Sequence, residues 1–255
     1  MSGHSWSDCP EDVRVRITGL VDALRELLGA NLVGIYLHGS LVLGCFNPAR
    51  SDVDLLAVTR RRIAAESRPP LVGALLRTSS DDGKLEIDFV TTADLHPWRY
   101  PPPFDFHYGE SWRTRLERNP MARQARSNVD LAAHVTIVRH AGIALTGPAP
   151  LTVFPEIPDE DYRDALLREV RWAGERMEEN PVYGVLSLCR VLAYVRDGEI
   201  LSKEGGGRWG LREAPAEVRP VVEEALAAYG SVPRNDGDFD SATLDRFTAW
   251  VEASL

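Results

Sequence analysis

Cysteine is scarce in this chain of 255 residues. The three cysteines, Cys9, Cys45 and Cys189, are widely separated and odd in number, which excludes a disulfide framework and a cysteine-rich metal knuckle. Cys189 lies in an apolar helical run and is interpreted as a small core residue. The six histidines do not follow the HExxH spacing or a similar ligand spacing. The sequence therefore predicts no zinc site.

Long apolar runs and a secretion signal are also missing. No apolar stretch reaches the roughly 20 residues that a membrane-spanning helix needs. The first residues lack the basic start and the apolar centre of a signal peptide. We therefore expect a cytoplasmic protein with no membrane partner. The chain is long enough for one large domain or for two smaller domains, each with a core of its own.

Clusters of basic residues are missing as well. The formal net charge is −9, and no Lys/Arg cluster with interleaved aromatic residues occurs, so we expect no nucleic-acid partner. An acidic protein suits a small cationic substrate. Residues 156–180 contain nine acids and four arginines. This count is consistent with an anionic wall around such a substrate, and equally with solvated helix faces.

The chain changes in pattern near its middle. Up to residue 140 the apolar spacing alternates between helices (11–29, 61–76 and 129–140) and strands (32–37, 52–58 and 85–91), which predicts an α/β domain. Prolines 69 and 70 would break the second helix. The segment Gly147-Pro148-Ala149-Pro150 is the predicted linker. Helices follow over 161–178, 181–198 and 215–229, and a last helix is capped by Asp240 or Ser241.

We therefore predict two domains. An α/β domain covers residues 1–155, and a bundle of helices covers residues 156–255. Ligand sites favour clefts between domains, so we expect the ligand in a cleft between these two.

The first candidate site motif combines a small-residue turn with two acids. Gly39 allows close approach of the backbone to a phosphate, and Ser40 can donate its N–H and its hydroxyl. Asp52 and Asp54 share one face of a strand, because side chains alternate with period two. The strand is otherwise apolar, and buried carboxylates are costly unless a cation compensates them. The combination predicts a divalent metal that bridges a nucleoside triphosphate.

A third acid comes from the next strand. Glu86 and Asp88 share a face opposite Leu85 and Ile87. Periodicity does not choose between them as the third carboxylate and catalytic base. A solvent-facing side chain is the ordinary interpretation of either one.

Taken together, these motifs resemble a known superfamily. Gly-Ser followed by Asp-x-Asp and by a third acid on a later strand is similar to the polymerase-beta-like nucleotidyltransferases. Further blocks resemble the aminoglycoside adenylyltransferases that act on streptomycin and spectinomycin: 96–101, 108–110, 146–148, 185–190, 198–203, Trp209 and 227–229. The likeness runs from about residue 30 to about residue 230 of this chain. It implies a nucleotidyltransferase domain with a mixed sheet, followed by an all-α domain.

The resemblance also implies roles for individual residues. Metal ligands are Asp52, Asp54 and Glu86, and Glu86 is also the catalytic base. Nucleotide contacts are Gly39, Ser40, Ser51, Arg190, Lys203 and Tyr229. Substrate contacts are Trp112, Asp88, Glu178 and Glu179. Without the resemblance, Arg190 would be interpreted as a surface residue of a helix, and Lys203 as a loop charge.

Two positions depart from the family pattern. The stretch 172–180 is spaced differently from the segment that grips the drug in streptomycin-modifying members. His38 stands where relatives often have tyrosine.

The expected activity is transfer of AMP from ATP to a hydroxyl of streptomycin or spectinomycin, with two magnesium ions and release of pyrophosphate. We expect a monomer that confers antibiotic resistance. The alternatives are transfer to another small molecule or to a protein, and a non-catalytic relative that only binds nucleotide. Nucleic-acid polymerisation is disfavoured by the net charge.

Overall fold

The computed structural model describes residues 4–48, 50–79, 84–231 and 237–255. Within them the chain divides into two compact units, His4–Tyr162 and Arg163–Leu255. The sequence predicts the division after residue 155, and the predicted linker 147–150 lies inside the first unit. No helix in the described part of the chain combines the length and the apolar character that membrane crossing requires.

The first unit is built around a five-stranded mixed sheet. Its strands are β1 (Leu32–His38), β2 (Val53–Thr59), β3 (Leu85–Thr91), β4 (Phe106–Tyr108) and β5 (Ile143–Thr146). Its helices are α1 (Glu11–Leu28), α2 (Arg68–Thr78), α3 (Thr92–Leu95), α4 (Arg113–Arg118), α5 (Leu131–Ala141) and α6 (Pro150–Val153). The order across the sheet is β4-β3-β2-β1-β5, in which β2 and β3 are parallel and the other neighbours antiparallel. The mixed sheet that the resemblance implied is confirmed.

The two faces of the sheet are covered differently. Odd-numbered residues of β2 and β3, such as Leu55 and Ile87, belong to the larger core, which includes residues of α1 and α2. Even-numbered residues point to the opposite face. Later in these strands that face carries Leu56, Val58 and Val90, which belong to a smaller core with residues of α5. Where the strands begin, the same face carries the acids predicted to form the site.

Three features of this unit differ from the prediction. Pro69 and Pro70 do not break a helix but begin one, because α2 starts at Arg68 and has both prolines in its first turn. The first turn of a helix does not need the backbone N–H that proline lacks. β4 and β5 were not predicted, since strands of three and four residues are too short to show a periodic pattern.

The second unit is helical, as predicted. The division between the units falls within α7 (Asp159–Glu175), and α8 (Pro181–Asp197), α9 (Lys203–Glu213), α10 (Arg219–Tyr229) and α11 (Ser241–Ser254) follow. Asn180 caps α8 by accepting a hydrogen bond from the backbone of Tyr183, and Asp240 caps α11 in the same way. The core of the unit surrounds the buried side chains of Trp209 and Phe247.

Two helices of the second unit correct the sequence prediction. α9 was not predicted, because it contains four glycines, which favour turns over helices. α10 begins at Arg219 rather than at residue 215, and Pro220 lies in its first turn instead of interrupting it.

Candidate active site

The turn after β1 lies directly against the acid of the neighbouring strand. Gly39 has a φ of +66°, in the left-handed region. A Cβ atom at this position would lie 1.8 Å from Oδ2 of Asp54, so any larger residue would have to displace the carboxylate. The pairing of His38 with Asp54 across β1 and β2 sets this approach.

Two serines were predicted to contact the nucleotide, Ser40 in this turn and Ser51 just before β2. The hydroxyl of Ser40 is buried and has no hydrogen-bond partner among the described residues. A buried hydroxyl of this kind is costly unless a ligand satisfies it. Ser51 has a different environment, because its hydroxyl accepts a hydrogen bond of 3.0 Å from the backbone N–H of Asn47 and so stabilises the loop before β2.

The parallel pairing of β2 and β3 brings two predicted acids together. Asp54 pairs with Glu86, and Asp52 lies just before β2. Burial raises the pKa of the Glu86 carboxyl, and the negative charges of Asp88 and Asp52 add to this rise. The histidines 134 and 107 act in the opposite direction but do not cancel it. A raised pKa makes Glu86 a better proton acceptor in its ionised form, as a general base requires.

Asp88 is buried between two histidines. Its Oδ1 accepts a hydrogen bond of 2.9 Å from Nδ1 of His107, and its Oδ2 accepts one of 3.1 Å from Nδ1 of His134. Burial would raise the pKa of Asp88, but these two hydrogen bonds outweigh it and hold the pKa below its usual value. Asp88 is 1 % exposed. Both of its oxygens are therefore engaged inside the protein, away from the surface that a substrate contact would use.

His134 and its neighbour His38 have opposite protonation preferences. Burial would lower the pKa of His134, but the hydrogen bond and charge of Asp88, together with Glu86, raise it to about 10. His38 lies beside it, with 4.9 Å between the ring centroids. Burial and the positive charge of His134 lower the pKa of His38 to about 3. These shifts favour a cationic imidazole for His134 and a neutral imidazole for His38.

The acids at this end of the sheet are the candidate ligands for the predicted magnesium. Asp52, Asp54 and Glu86 offer carboxylate oxygens only, which Mg²⁺ prefers. One ligand atom each from Glu86, Asp88 and His134 also lie within 4.8 Å of one another. Asp88 and His134 are already joined by a hydrogen bond of 3.1 Å. Asp52 and Asp54 are not part of this group, so a magnesium site on residues 52, 54 and 86 stays a prediction.

Two of the predicted nucleotide contacts of the helical unit, Arg190 and Lys203, lie around one carboxylate. Nη2 of Arg190 donates to both carboxylate oxygens of Glu169, at 2.7 and 2.9 Å. Nζ of Lys203 lies 4.3 Å from the ring centroid of Tyr183, whose hydroxyl donates to Glu169 at 3.2 Å. Burial raises the pKa of Glu169, but the charges of Arg190 and Lys203 outweigh it and hold the pKa below its usual value. Tyr229, the other predicted contact, is a buried residue at the end of α10.

The remaining predicted substrate contacts differ in their exposure. Trp112 is half-buried in the first unit, and the guanidinium of Arg115 lies 5.0 Å from the centroid of its ring. Glu178 and Glu179 are exposed side chains between α7 and α8.

Four residues of these clusters escaped the sequence analysis: His107, His134, Glu169 and Tyr183. His107, His134 and Glu169 reach their clusters from distant parts of the chain, so spacing alone does not connect them with the site. Tyr183 lies on α8 about two turns before Arg190, and this helical spacing was the signal that could have found it. For the histidines one signal existed. An aspartate on the interior face of β3 requires a cation beside it, and the histidines downstream were the available partners.

Comparison with known proteins agrees with both units. Residues 17–104 match the nucleotidyltransferase domain family, and residues 152–254 match the C-terminal domain of aminoglycoside adenylyltransferases. The aminoglycoside (3'') (9) adenylyltransferase of Shigella flexneri is 31% identical over 96% of this chain and 95% of its own length. The spectinomycin 9-adenylyltransferase of Staphylococcus aureus is 29% identical over 81% of each chain.

The fold is shared with a solved structure. The spectinomycin adenyltransferase from Enterococcus, crystallised with ATP and spectinomycin, aligns with a TM-score of 0.82 at 22% identity and covers 94% of this chain and 98% of that chain. The sequence relatives span nearly the whole chain, and the two matched domains occur in the order that the fold shows. This protein belongs to the aminoglycoside adenylyltransferase family of nucleotidyltransferases.

Proposed function

We propose that this enzyme transfers AMP from ATP to a hydroxyl of an aminoglycoside or aminocyclitol antibiotic, streptomycin or spectinomycin, and so confers resistance. The observation that carries the proposal is the convergence at the start of β2 and β3. There Asp54 pairs with Glu86, and the glycine turn of β1 lies against Asp54. A phosphate-binding turn beside two aligned carboxylates is the arrangement that metal-assisted nucleotidyl transfer needs.

The site would hold ATP and magnesium through the first unit. Asp52, Asp54 and Glu86 would bind two magnesium ions, which would supply charge neutralisation on the phosphates. The buried hydroxyl of Ser40 and the backbone of Gly39 would contact the phosphates, and Ser51 would contribute from the adjacent loop. The unpaired hydroxyl of Ser40 supports this assignment.

Glu86 would act as the general base. Its carboxylate takes the proton from the substrate hydroxyl, a role typically worth about 10²–10⁴-fold in rate. The substrate oxygen then forms a bond with the α-phosphorus of ATP, and the bond between that phosphorus and the oxygen bridging to the β-phosphate breaks. The electron pair leaves with pyrophosphate.

The family resemblance supports further substrate contacts for the remaining predicted residues. Arg190 and Lys203 would neutralise the triphosphate and the leaving pyrophosphate, and Tyr229 would contact the nucleotide. Glu178 and Glu179 would attract the cationic groups of the drug. Trp112 would pack against the drug. Asp88 is left out of the substrate contacts, because its two oxygens bind histidines.

Pyrophosphate release tests the proposal directly. The purified protein with ATP, magnesium and either drug should release pyrophosphate. Asp52→Asn and Glu86→Gln should each lower the rate at least about 100-fold while the melting temperature stays normal. Glu66→Gln, which alters an exposed acid of the same unit, is the matched control and should keep full activity.

Two results would contradict the proposal at different levels. Full turnover in both Asp52→Asn and Glu86→Gln would refute the roles given to these acids. Activity with ATP but transfer to neither drug would leave the nucleotidyl transfer in place and assign the acceptor to another small molecule or to a protein.

A further inference from the structure

The helical unit has a carboxylate, that of Glu169, beside the two cations that are proposed to bind the triphosphate. Glu169 on α7 accepts hydrogen bonds from Arg190 and Tyr183 of α8, and its side chain is 18% exposed. Arg190 and Lys203 are the two cations assigned above to the triphosphate. A negative charge between them would weaken ATP binding if it served only to neutralise them. Glu169 is therefore expected to have a role other than charge neutralisation.

Lys203 shows why the cations need support. It is the first residue of α9, where the backbone N–H groups give the helix a partial positive charge. A cation is unfavourable at that end of a helix. The ring of Tyr183, 4.3 Å below the ammonium, and the nearby charge of Glu169 compensate for this position.

Arg190 is held near Lys203 because its helix, α8, packs closely against α9. A Cβ atom on Gly206 of α9 would lie 2.7 Å from the backbone nitrogen of Arg190, so α8 and α9 are in close contact at this point. The ring of Tyr183 is held in turn by Trp172 of α7, with 5.4 Å between the ring centroids in a T-shaped contact. Three helices thus fix the positions of both cations.

We propose that Glu169, together with Tyr183, is a positioning residue that holds Arg190 and Lys203 in the arrangement that the triphosphate of ATP requires. The inference rests on the proposed function, which assigns the two cations to the nucleotide. With one negative and two positive charges the group keeps a net positive charge, so it can still attract a phosphate chain. Long basic side chains that are ordered in advance lose less freedom when the nucleotide binds.

The effect should therefore appear in ATP binding and not in drug binding. Glu169→Gln keeps the size of the side chain and removes its charge. We expect it to raise the KM for ATP about 5–20-fold and to weaken binding of a non-hydrolysable ATP analogue by a similar factor. The KM for the drug should stay within about twofold. Glu160→Gln on the same helix alters an exposed acid and is the matched control.

A second pair of variants separates the contacts of Tyr183. Tyr183→Phe keeps the ring below Lys203 and removes only the hydroxyl that donates to Glu169. Tyr183→Leu removes the ring as well. We expect Tyr183→Leu to weaken ATP binding more than Tyr183→Phe. This pair carries the test if Glu169→Gln does not fold, which melting curves would show.

Arg190→Gln and Lys203→Gln separate the two hypotheses. If neither weakens binding of the ATP analogue, the assignment of these cations to the nucleotide is wrong, and the positioning role fails with it. If both weaken binding but Glu169→Gln and Tyr183→Leu match the control, only the positioning role is overturned. An equal loss in the KM for ATP and for the drug in Glu169→Gln would also overturn it, because a general structural defect would produce that result.

Discussion

The absence of a side chain at position 39 determines the geometry at the end of β1. Gly39 adopts a left-handed backbone conformation, and its Cα lies so close to Asp54 that a Cβ would overlap the carboxylate. Gly44, five residues later, has nearly the same φ of +67° but has no atom within 4 Å of an added Cβ. Both positions therefore favour glycine because of their left-handed backbone. Only at Gly39 does an acid also occupy the space that a side chain would need.

This difference gives a matched pair of substitutions. Gly44→Ala should cost only the left-handed strain, about 1–2 kcal/mol, and should keep activity within about twofold. Gly39→Ala should add a displacement of Asp54, and a shift of about 1 Å at a reacting centre can cost about 100-fold in rate. The ratio of kcat/KM between the two variants, measured beside their melting temperatures, checks the prediction. Equal activities would mean that contact with Asp54 is unimportant.

At the same scale, the sequence could single out some of the candidate site residues but not others. Asp52 and Asp54 could be singled out because two carboxylates in an apolar strand conflict with burial, whereas Glu86 was chosen only through the family resemblance. The alternation of side chains could not distinguish Glu86 from Asp88, since both share one face of β3. In the structure the two acids differ in their surroundings, because His107 and His134 bind Asp88. Neither histidine lies near β3 in sequence, so only the fold connects them.

At the scale of the element, α9 shows how close packing can outweigh helix propensity. Glycine inside a helix costs about 1 kcal/mol relative to alanine. Yet an added Cβ would lie 2.7 Å from the backbone nitrogen of Arg190 at Gly206, and 2.6 Å from Sγ of Cys189 at Gly210. The glycines allow α9 to approach α8, and the contact also places Lys203 beside Tyr183.

Two alanine substitutions separate propensity from packing. Gly206→Ala should lower the free energy of unfolding by about 1–3 kcal/mol, because overlap with the backbone of α8 outweighs the gain in propensity. Gly19→Ala in α1 meets no atom within 4 Å and should raise that free energy by up to about 1 kcal/mol. Denaturant unfolding measures both values. A stabilised Gly206→Ala variant would be incompatible with the close contact of α8 and α9.

The length and composition of the elements explain which of them could be predicted from the sequence. β1, β2 and β3 have seven residues each, enough for their apolar pattern to be recognised. β4 has three residues within an aromatic loop, and α9 carries its glycines where a helix prediction expects strong helix formers. Short strands and closely packed helices are stabilised by contacts with neighbouring elements. The local sequence pattern contains no information about those contacts.

At the scale of the whole molecule, the net charge of −9 bears on which substrate the protein attracts. A negative protein attracts a cationic drug over distances comparable to the Debye length, about 10 Å at 0.1 M salt. ATP carries the opposite charge and gains nothing from this long-range field. It would depend instead on local cations such as Arg190 and Lys203.

Salt should therefore affect the two substrates differently. Between about 50 and 300 mM potassium chloride, kcat/KM for the drug should fall several-fold, because screening weakens the attraction. The value for ATP should fall less, or rise, over the same range. Steady-state kinetics with each substrate limiting in turn gives both slopes. Equal declines would indicate a general salt effect on the enzyme and would refute the role of net charge.

The arrangement of the sheet also limits where the chain can be shortened. The match to the nucleotidyltransferase domain ends at residue 104, yet β4 and β5, the outer strands on either side, come later in the chain. A fragment that stops there would leave β1 and β3 with unpaired backbone amides and carbonyls. Exposed strands of this kind promote aggregation by joining strands from other molecules. Expression of the first unit alone would therefore need to extend through β5, well beyond the segment that similarity marks out.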